Sequence, residues 1–351
     1  MKGSSGPSMG NAKALMAQEL SEAPQAVSRQ AEALAQPLAA LVQRLERRSP
    51  QVVVTCARGS SAHAAAFAKH LIERYVGIPV APAAPSIASI YGQSMHLEGQ
   101  LVLSISQSGR SDDLVAFTKS AKDAGAVTVA VVNVANSPLA ETCDFVLPIC
   151  AGPELSVAAT KTFVATVAAL ARLTAGWANN RALTDAIARL PGRLVDAAAL
   201  NWSAAVPAVA NAASLVTIGR GSTLAIAREA ALKLKETCNR HAEAFSGAEF
   251  LHGPVSLVSS RYPILMFMPT DAAAPGMRQL AGELRRMGTA LFIAEHGEAA
   301  ASRLPTLPPD QPETDAICLI QSFYALAVDV AQQLDIDVDR PRHLSKVTST
   351  L

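Results

Sequence analysis

The chain has 351 residues, with 30 Lys and Arg against 29 Asp and Glu, a formal net charge of +1. Half of the residues are hydrophobic and 17% are charged, which excludes a disordered polymer and allows two cores at about 150 residues per domain. Balanced charge argues against a nucleic-acid binder, and 4% aromatic content leaves little for base stacking.

Residues 1–10 hold Gly, Ser and Pro without an apolar run, and read as a tag remnant or a disordered lead. Ala12–Arg48 has helical propensity with breaks near Pro24 and Pro37, so two helices are expected. An alternation follows. Strands are expected over Gln51–Cys56, Gln100–Ser104, Val127–Val132 and Phe145–Pro148, with a brief apolar segment at Val80–Pro82. Helices are expected over Ala62–Tyr75, Asp112–Ala124 and Thr160–Ala175. Strands alternating with helices imply βαβ units and a parallel sheet. The apolar stretch Thr162–Ala171 lies between Lys161 and Arg172, too short for the roughly 20 residues of a membrane span.

The pattern then restarts. A helix is expected over Asn201–Ala213, a strand over Ser214–Ile218, a tight turn at Gly219–Thr223 and a helix over Leu224–Thr237. Ile264–Met268 and Ala290–Ala294 read as strands around a helix at Pro275–Met287. Pro312–Asp335 reads as a strand remnant and a long apolar helix, and Val338–Leu351 as a polar tail. Ala57-Arg58-Gly59-Ser60-Ser61 aligns with Gly219-Arg220-Gly221-Ser222-Thr223 at an offset of 162 (221 less 59). Each follows a strand and opens an Ala-rich helix, so one α/β domain is read as duplicated. Residues 11–195 would hold the first doubly wound domain with its leading helices, and residues 196–351 the second with its tail. The five cysteines, at 56, 143, 150, 238 and 318, are scattered and form no CxxC pair. Neither a disulfide framework nor a zinc site is supported, and a reducing cytoplasm is expected.

Ser104–Ser111 carries hydroxyls, the Gln107 amide and Gly109 between a strand and a helix. Such a turn can surround an anion, aided by the helix N-terminus. An ordinary Ser-rich helix cap is the competing reading. Ser60-Ser61 supplies a second turn, and both stand at carboxyl ends of parallel strands, where ligands bind. Their convergence favours phosphate. Lys233 and Glu236 are three apart on a helix and share a face. A carboxylate with a nearby cation suits proton abstraction beside a carbonyl, whereas an exposed ion pair is the alternative. His63 and His70 read as surface or packing residues.

These motifs occur in one order with Glu154, Val157-Ala158, Thr160-Lys161, Glu229, Ala231–Glu236, His241–Ala244, Glu249, His252-Gly253-Pro254, Asp339–Arg342, Leu344 and Lys346. From about residue 50 onward the chain resembles the sugar isomerase (SIS) family. Within it, the chain is similar to the isomerase half of glutamine–fructose-6-phosphate aminotransferase and to its stand-alone deaminase relatives. The resemblance implies two tandem SIS domains. It implies that Ser61, Ser106, Gln107, Ser108 and Ser111 hold a sugar phosphate, and that Val157 and Ala159 lie along the sugar. It further implies that Glu236 shuttles a proton between carbons 1 and 2, that Lys233 assists, and that His252 opens the ring from a neighbouring subunit. Lys346 would act from a mobile tail on the ketose carbonyl. Two positions depart from the synthase pattern: Ala159 replaces a serine, and Arg110 an acidic residue.

About 50 residues precede the sugar-binding part, with no cysteine before Cys56, so no glutaminase step is expected. The expectation is therefore a cytoplasmic glucosamine-6-phosphate deaminase, a homodimer with shared sites, needing no metal or cofactor and binding no nucleic acid or membrane. A galactosamine-6-phosphate deaminase/isomerase, a fructosamine-6-phosphate deglycase and a non-catalytic sugar-phosphate sensor are the alternatives.

Overall fold

A computed structural model describes residues 14–298 and 300–346. The tag-like lead at residues 1–10 and the end of the polar tail lie outside the described residues. The first half runs α1 (Leu15–Ala33), α2 (Ala35–Arg47), β1 (Val53–Ala57), α3 (Gly59–Tyr75), β2 (Val80–Pro82), α4 (Ser86–Ser89), β3 (Leu101–Ser106) and α5 (Asp112–Asp123). It continues through β4 (Val127–Val132), α6 (Pro138–Thr142), β5 (Phe145–Pro148), α7 (Lys161–Trp177) and α8 (Arg181–Ala198). The second half runs α9 (Val206–Asn211), β6 (Ser214–Gly219), α10 (Ser222–Cys238), β7 (His241–Ser246), α11 (Gly247–Phe250) and β8 (Ile264–Phe267). It ends with α12 (Ala274–Arg286), β9 (Leu291–Ala294), β10 (Arg303–Leu304) and α13 (Pro312–Gln333).

Each half builds a five-stranded parallel sheet, ordered β2-β1-β3-β4-β5 and β7-β6-β8-β9-β10. The windings are the same, so the duplication read from two turns extends through the topology. Register carries it further. Val54 pairs with Val102, and Val216 with Ile264, so the offset of 162 at the first turn also relates β3 to β8. It relates the starts of α5 and α12, at Asp112 and Ala274. β3 and β4 are buried at every position and apolar at most of them, as strands covered on both faces require.

The helices between the sheets form a shared layer. One apolar core joins Val27 of α1, Phe163 of α7, Ile226 of α10 and Phe323 of α13 to Leu103 of β3 and Leu265 of β8. Among the described residues, only α13 is long and apolar enough to cross a membrane, and 89% of its apolar window is buried inside the protein, as in a core helix.

Several boundaries differ from the sequence reading. Pro24 does not break α1; the break falls at Leu34. Proline frees the carbonyl four residues earlier, and here Leu20 O accepts from Gln321 Nε2 of α13 at 3.0 Å. Helix α8, capped by Asn180 on Leu183 N at 3.0 Å, went unexpected because Pro191 and Gly192 interrupt its pattern. The edge strand β7 also went unexpected, since its half-exposed pattern lacks a continuous apolar run. Asn201–Ala213 holds a 3-10 turn and the short α9. No strand lies within 312–335; among the described residues the last strand is β10, upstream.

Candidate active site

In an order of this kind, the chain reverses direction between β1 and β3, and the turns leaving those strands diverge to open a crevice. Ser60-Ser61 and Ser106–Ser111 occupy those turns. They face α10, the segment before α7 and the C-terminal segment across a cavity of about 360 Å³. Ser61, Ser106, Gln107, Ser108, Ser111, Val157, Ala159, Lys233, Glu236 and Lys346 all line it. His252 does not: it is exposed in the turn after α11 and is absent from the lining.

The Ser106–Ser111 turn leaves hydroxyl donors that an anion could use. Ser106 Oγ accepts from Gly109 N at 3.1 Å, and Ser108 Oγ from Arg110 N at 3.3 Å, which leaves their hydroxyl protons free to donate. Gly109 has φ +64°, and a Cβ there would lie 2.1 Å from Ser137 Oγ. Gly109→Ala should therefore cost at least about 1–2 kcal/mol through the left-handed backbone alone. It should also weaken phosphate binding, as urea unfolding and calorimetry would measure; wild-type values for both would refute the turn's role.

The sequence reading missed Arg58 as a site residue. Its guanidinium lines the cavity, half-exposed, and donates through Nε at 2.9 Å and through a second nitrogen to the buried Asp113. This pair straps the β1 turn to the first turn of α5 and fixes a cation beside the serine hydroxyls. The only sequence signal was a basic residue in one strand-end turn and an acidic one in the other.

The opposite wall is α10. Lys233 is buried and contacts both Glu236, through a short ion pair, and Glu229 at 3.4 Å. The reading of this pair as an exposed surface bridge is thereby excluded. Glu229, fully buried, also accepts from Ser60 Oγ at 2.9 Å and Tyr324 OH at 3.3 Å, and pairs with His63 Nδ1 at 2.9 Å. His63 is thus a member of this cluster rather than a surface or packing residue. Burial alone would raise the Glu229 carboxyl, but Lys233, His63 and Ser60 outweigh it and hold it below its ordinary range. Burial likewise opposes the Lys233 ammonium, yet Glu229 and Glu236 raise it. Lys233 is locked as a cation. Glu236, 22% exposed, keeps access to the cavity.

The C-terminal segment closes the third side. Lys346 Nζ donates to Ser156 O at 2.6 Å and lies 3.4 Å from Glu154 Oε2. Buried Glu154 accepts in turn from Thr160 N at 2.9 Å and Thr162 N at 3.2 Å. Asp339 anchors the segment: its carboxylate accepts from Leu15 N and Met16 N at 2.7 and 2.8 Å. The cavity therefore offers hydroxyl donors and a cation at one end and an accessible carboxylate beside a fixed ammonium at the other. That arrangement can hold a phosphate ester while a proton moves on its carbon chain.

Comparison with known proteins gives the family. The family model for the SIS domain matches residues 48–175 and 208–325. Glutamine–fructose-6-phosphate aminotransferase (isomerizing) of Caulobacter vibrioides is 34% identical over 316 residues, which cover 84% of this chain and 51% of that protein. The chain thus spans about half the length of this curated relative. A Silicibacter pomeroyi crystal structure, provisionally named a phosphosugar isomerase, is 41% identical with a TM-score of 0.88, covering 93% of this chain and all of that one. Glucosamine-6-phosphate deaminase of Thermotoga maritima shares the fold, at 21% identity and a TM-score of 0.72, over 94% of this chain and all of that one. With both sheets inside the matched segments and the strand-end serines at their crevice, the chain belongs to the SIS domain family.

Proposed function

We propose that the chain is an aminosugar-phosphate deaminase that converts glucosamine 6-phosphate and water to fructose 6-phosphate and ammonia. The observation that carries this reading is the placement of Glu236 and Lys233 across one cavity from the serine turns. Ser61, Ser106, Gln107, Ser108 and Ser111, with Arg58, hold the phosphate. Glu236 takes the proton from carbon 2 of the opened sugar and returns it to carbon 1. The Lys233 ammonium steadies the charge that develops between those steps. Water then adds to carbon 2 of the ketose imine, and ammonia leaves. Val157 and Ala159 flank the sugar, and Lys346 reaches its carbonyl end after leaving Ser156 and Glu154. The names of the relatives support aminosugar and phosphosugar chemistry. In this reading the protein works in the cytoplasm, consistent with five unpaired cysteines.

Ammonia release across glucosamine 6-phosphate, galactosamine 6-phosphate and fructosamine 6-phosphate tests the reading. The highest kcat/KM is expected with the first. A preference for either of the others would reassign the substrate. Binding without any turnover would favour a sensor.

His252 is the ring-opening residue in this reading, and it must come from a second copy because it lies outside its own cavity. Mixing inactive His252→Ala with inactive Glu236→Gln tests this. In a symmetric dimer with shared sites, one site of the heterodimer carries both defects and the other neither. Activity should recover to part of the wild-type level. Proven subunit exchange without recovery would remove His252 from a shared site.

A further inference from the structure

Val157 and Ala159 reach the cavity from the segment that enters α7, which is neither helix nor strand. A wall built on a loop is precise only where a supporting shell fixes it. Here the support comes from α1, which lies ahead of the matched SIS segments that begin at residue 48.

Two carboxylates of α1, three residues apart and so on one face, take the two ends of this segment. Glu19 is 4% exposed. It accepts from Leu155 N and from Ser156 Oγ through short hydrogen bonds, and from Ser156 N at 3.3 Å. A buried carboxylate is costly unless donors surround it, and among the described residues every donor to the Glu19 side chain belongs to this segment. At the other end, Glu22 forms a short ion pair with Lys161, the buried first residue of α7. Val157 and Ala159 lie between the two grips. The C-terminal segment joins the same unit. Val157 N donates to Asp339 O at 3.2 Å, and the carbonyl of Ser156, the residue that Glu19 holds, is the one that accepts from Lys346.

We propose that Glu19 is a positioning residue. It fixes the wall that meets the sugar rather than the phosphate, and it holds the Ser156 carbonyl where Lys346 docks. Glu19 does not line the cavity, so it acts through the segment. What the wall contacts rests on the phosphosugar reading; the hold on Lys346 does not.

Two measurements on full-chain Glu19→Ala and Ser156→Ala test the proposal. The first is calorimetry with inorganic phosphate and with glucitol 6-phosphate, a linear sugar phosphate with no carbonyl to react. Affinity for glucitol 6-phosphate should fall about tenfold in Glu19→Ala, the equivalent of one hydrogen bond to a charged group, while affinity for phosphate holds. A merely structural role would weaken both together. The second needs no sugar: the acylation rate of the Lys346 amine, read by mass spectrometry against Lys119, whose side chain is 69% exposed. Lys346 should react more slowly than Lys119 in the wild type and speed up severalfold in Glu19→Ala. Ser156→Ala removes one hydroxyl and should move both readouts the same way by less, and it decides the matter if Glu19→Ala does not fold. Equal weakening of both ligands, unchanged affinity for glucitol 6-phosphate, or a Lys346 as slow as in the wild type would overturn the proposal. If wild type binds glucitol 6-phosphate no better than phosphate, the phosphosugar reading fails, and the Lys346 rates still decide whether Glu19 holds the docking site.

Discussion

Glu236→Gln is expected to lower turnover in the proposed deaminase reaction by about 10²–10⁴-fold, the range for loss of a general base, while leaving sugar-phosphate affinity within a few fold. The substitution preserves shape, and the amide oxygen can still accept from Lys233, so the wall of the cavity stays in place. It cannot take a proton from carbon. The groups proposed to hold the phosphate are on other elements, the turns after β1 and β3, so binding and chemistry should separate: kcat falls and KM holds. The variant should also lose exchange of the carbon-2 proton with solvent, a readout that a merely structural role would not move. Near-normal turnover, or a loss confined to KM, would remove Glu236 from this role.

Glu229→Leu should cost about 3–5 kcal/mol of stability, the usual result of stripping one partner from a buried ion pair. Lys233 would remain buried with only Glu236 to match it, and Ser60, His63 and Tyr324 would each lose an acceptor. The pH dependence follows from the two directions of shift. Glu229 is held below its unfolded value of about 4.3, so its contribution is complete above that value and is lost as pH falls through the folded one. Lys233 is held above its unfolded value of about 10.4, so its contribution is complete below that value and is lost as pH rises through the folded one. The gap between wild type and Glu229→Leu should be flat across neutral pH and narrow in acid. Denaturant titrations at several pH values would show it; a gap below about 1 kcal/mol would mean that the cluster contributes little net stability.

Much of the fold and part of the candidate site were legible in the sequence because their signals are local. A buried parallel strand is a short apolar run, a phosphate turn is a few consecutive residues, and Lys233 and Glu236 share one helical face. What stayed hidden is what the fold assembles from distant positions. Arg58 finds Asp113 only after β1 and β3 pair. Ser60 and His63 find Glu229 only after α3 packs on α10. Pro24 looked like a break because the donor that satisfies the freed Leu20 carbonyl, Gln321, lies 301 residues from Leu20. The strand β7 was hidden for another reason: an edge strand half in solvent has no need of the apolar run that marks its neighbours.

The helical layer between the two sheets bears on the history of the chain as well as on its site. A freshly duplicated domain is a detachable module, and each copy could be lost or recruited elsewhere. Here Phe323, Ile226, Phe163 and Val27 have merged into one apolar interior. Cutting the copies apart would strip α13 and α1 of the surfaces that cover them, so neither copy remains a separable unit of inheritance. Any change of sequence in either copy is thereby bound to preserve the packing that both now share.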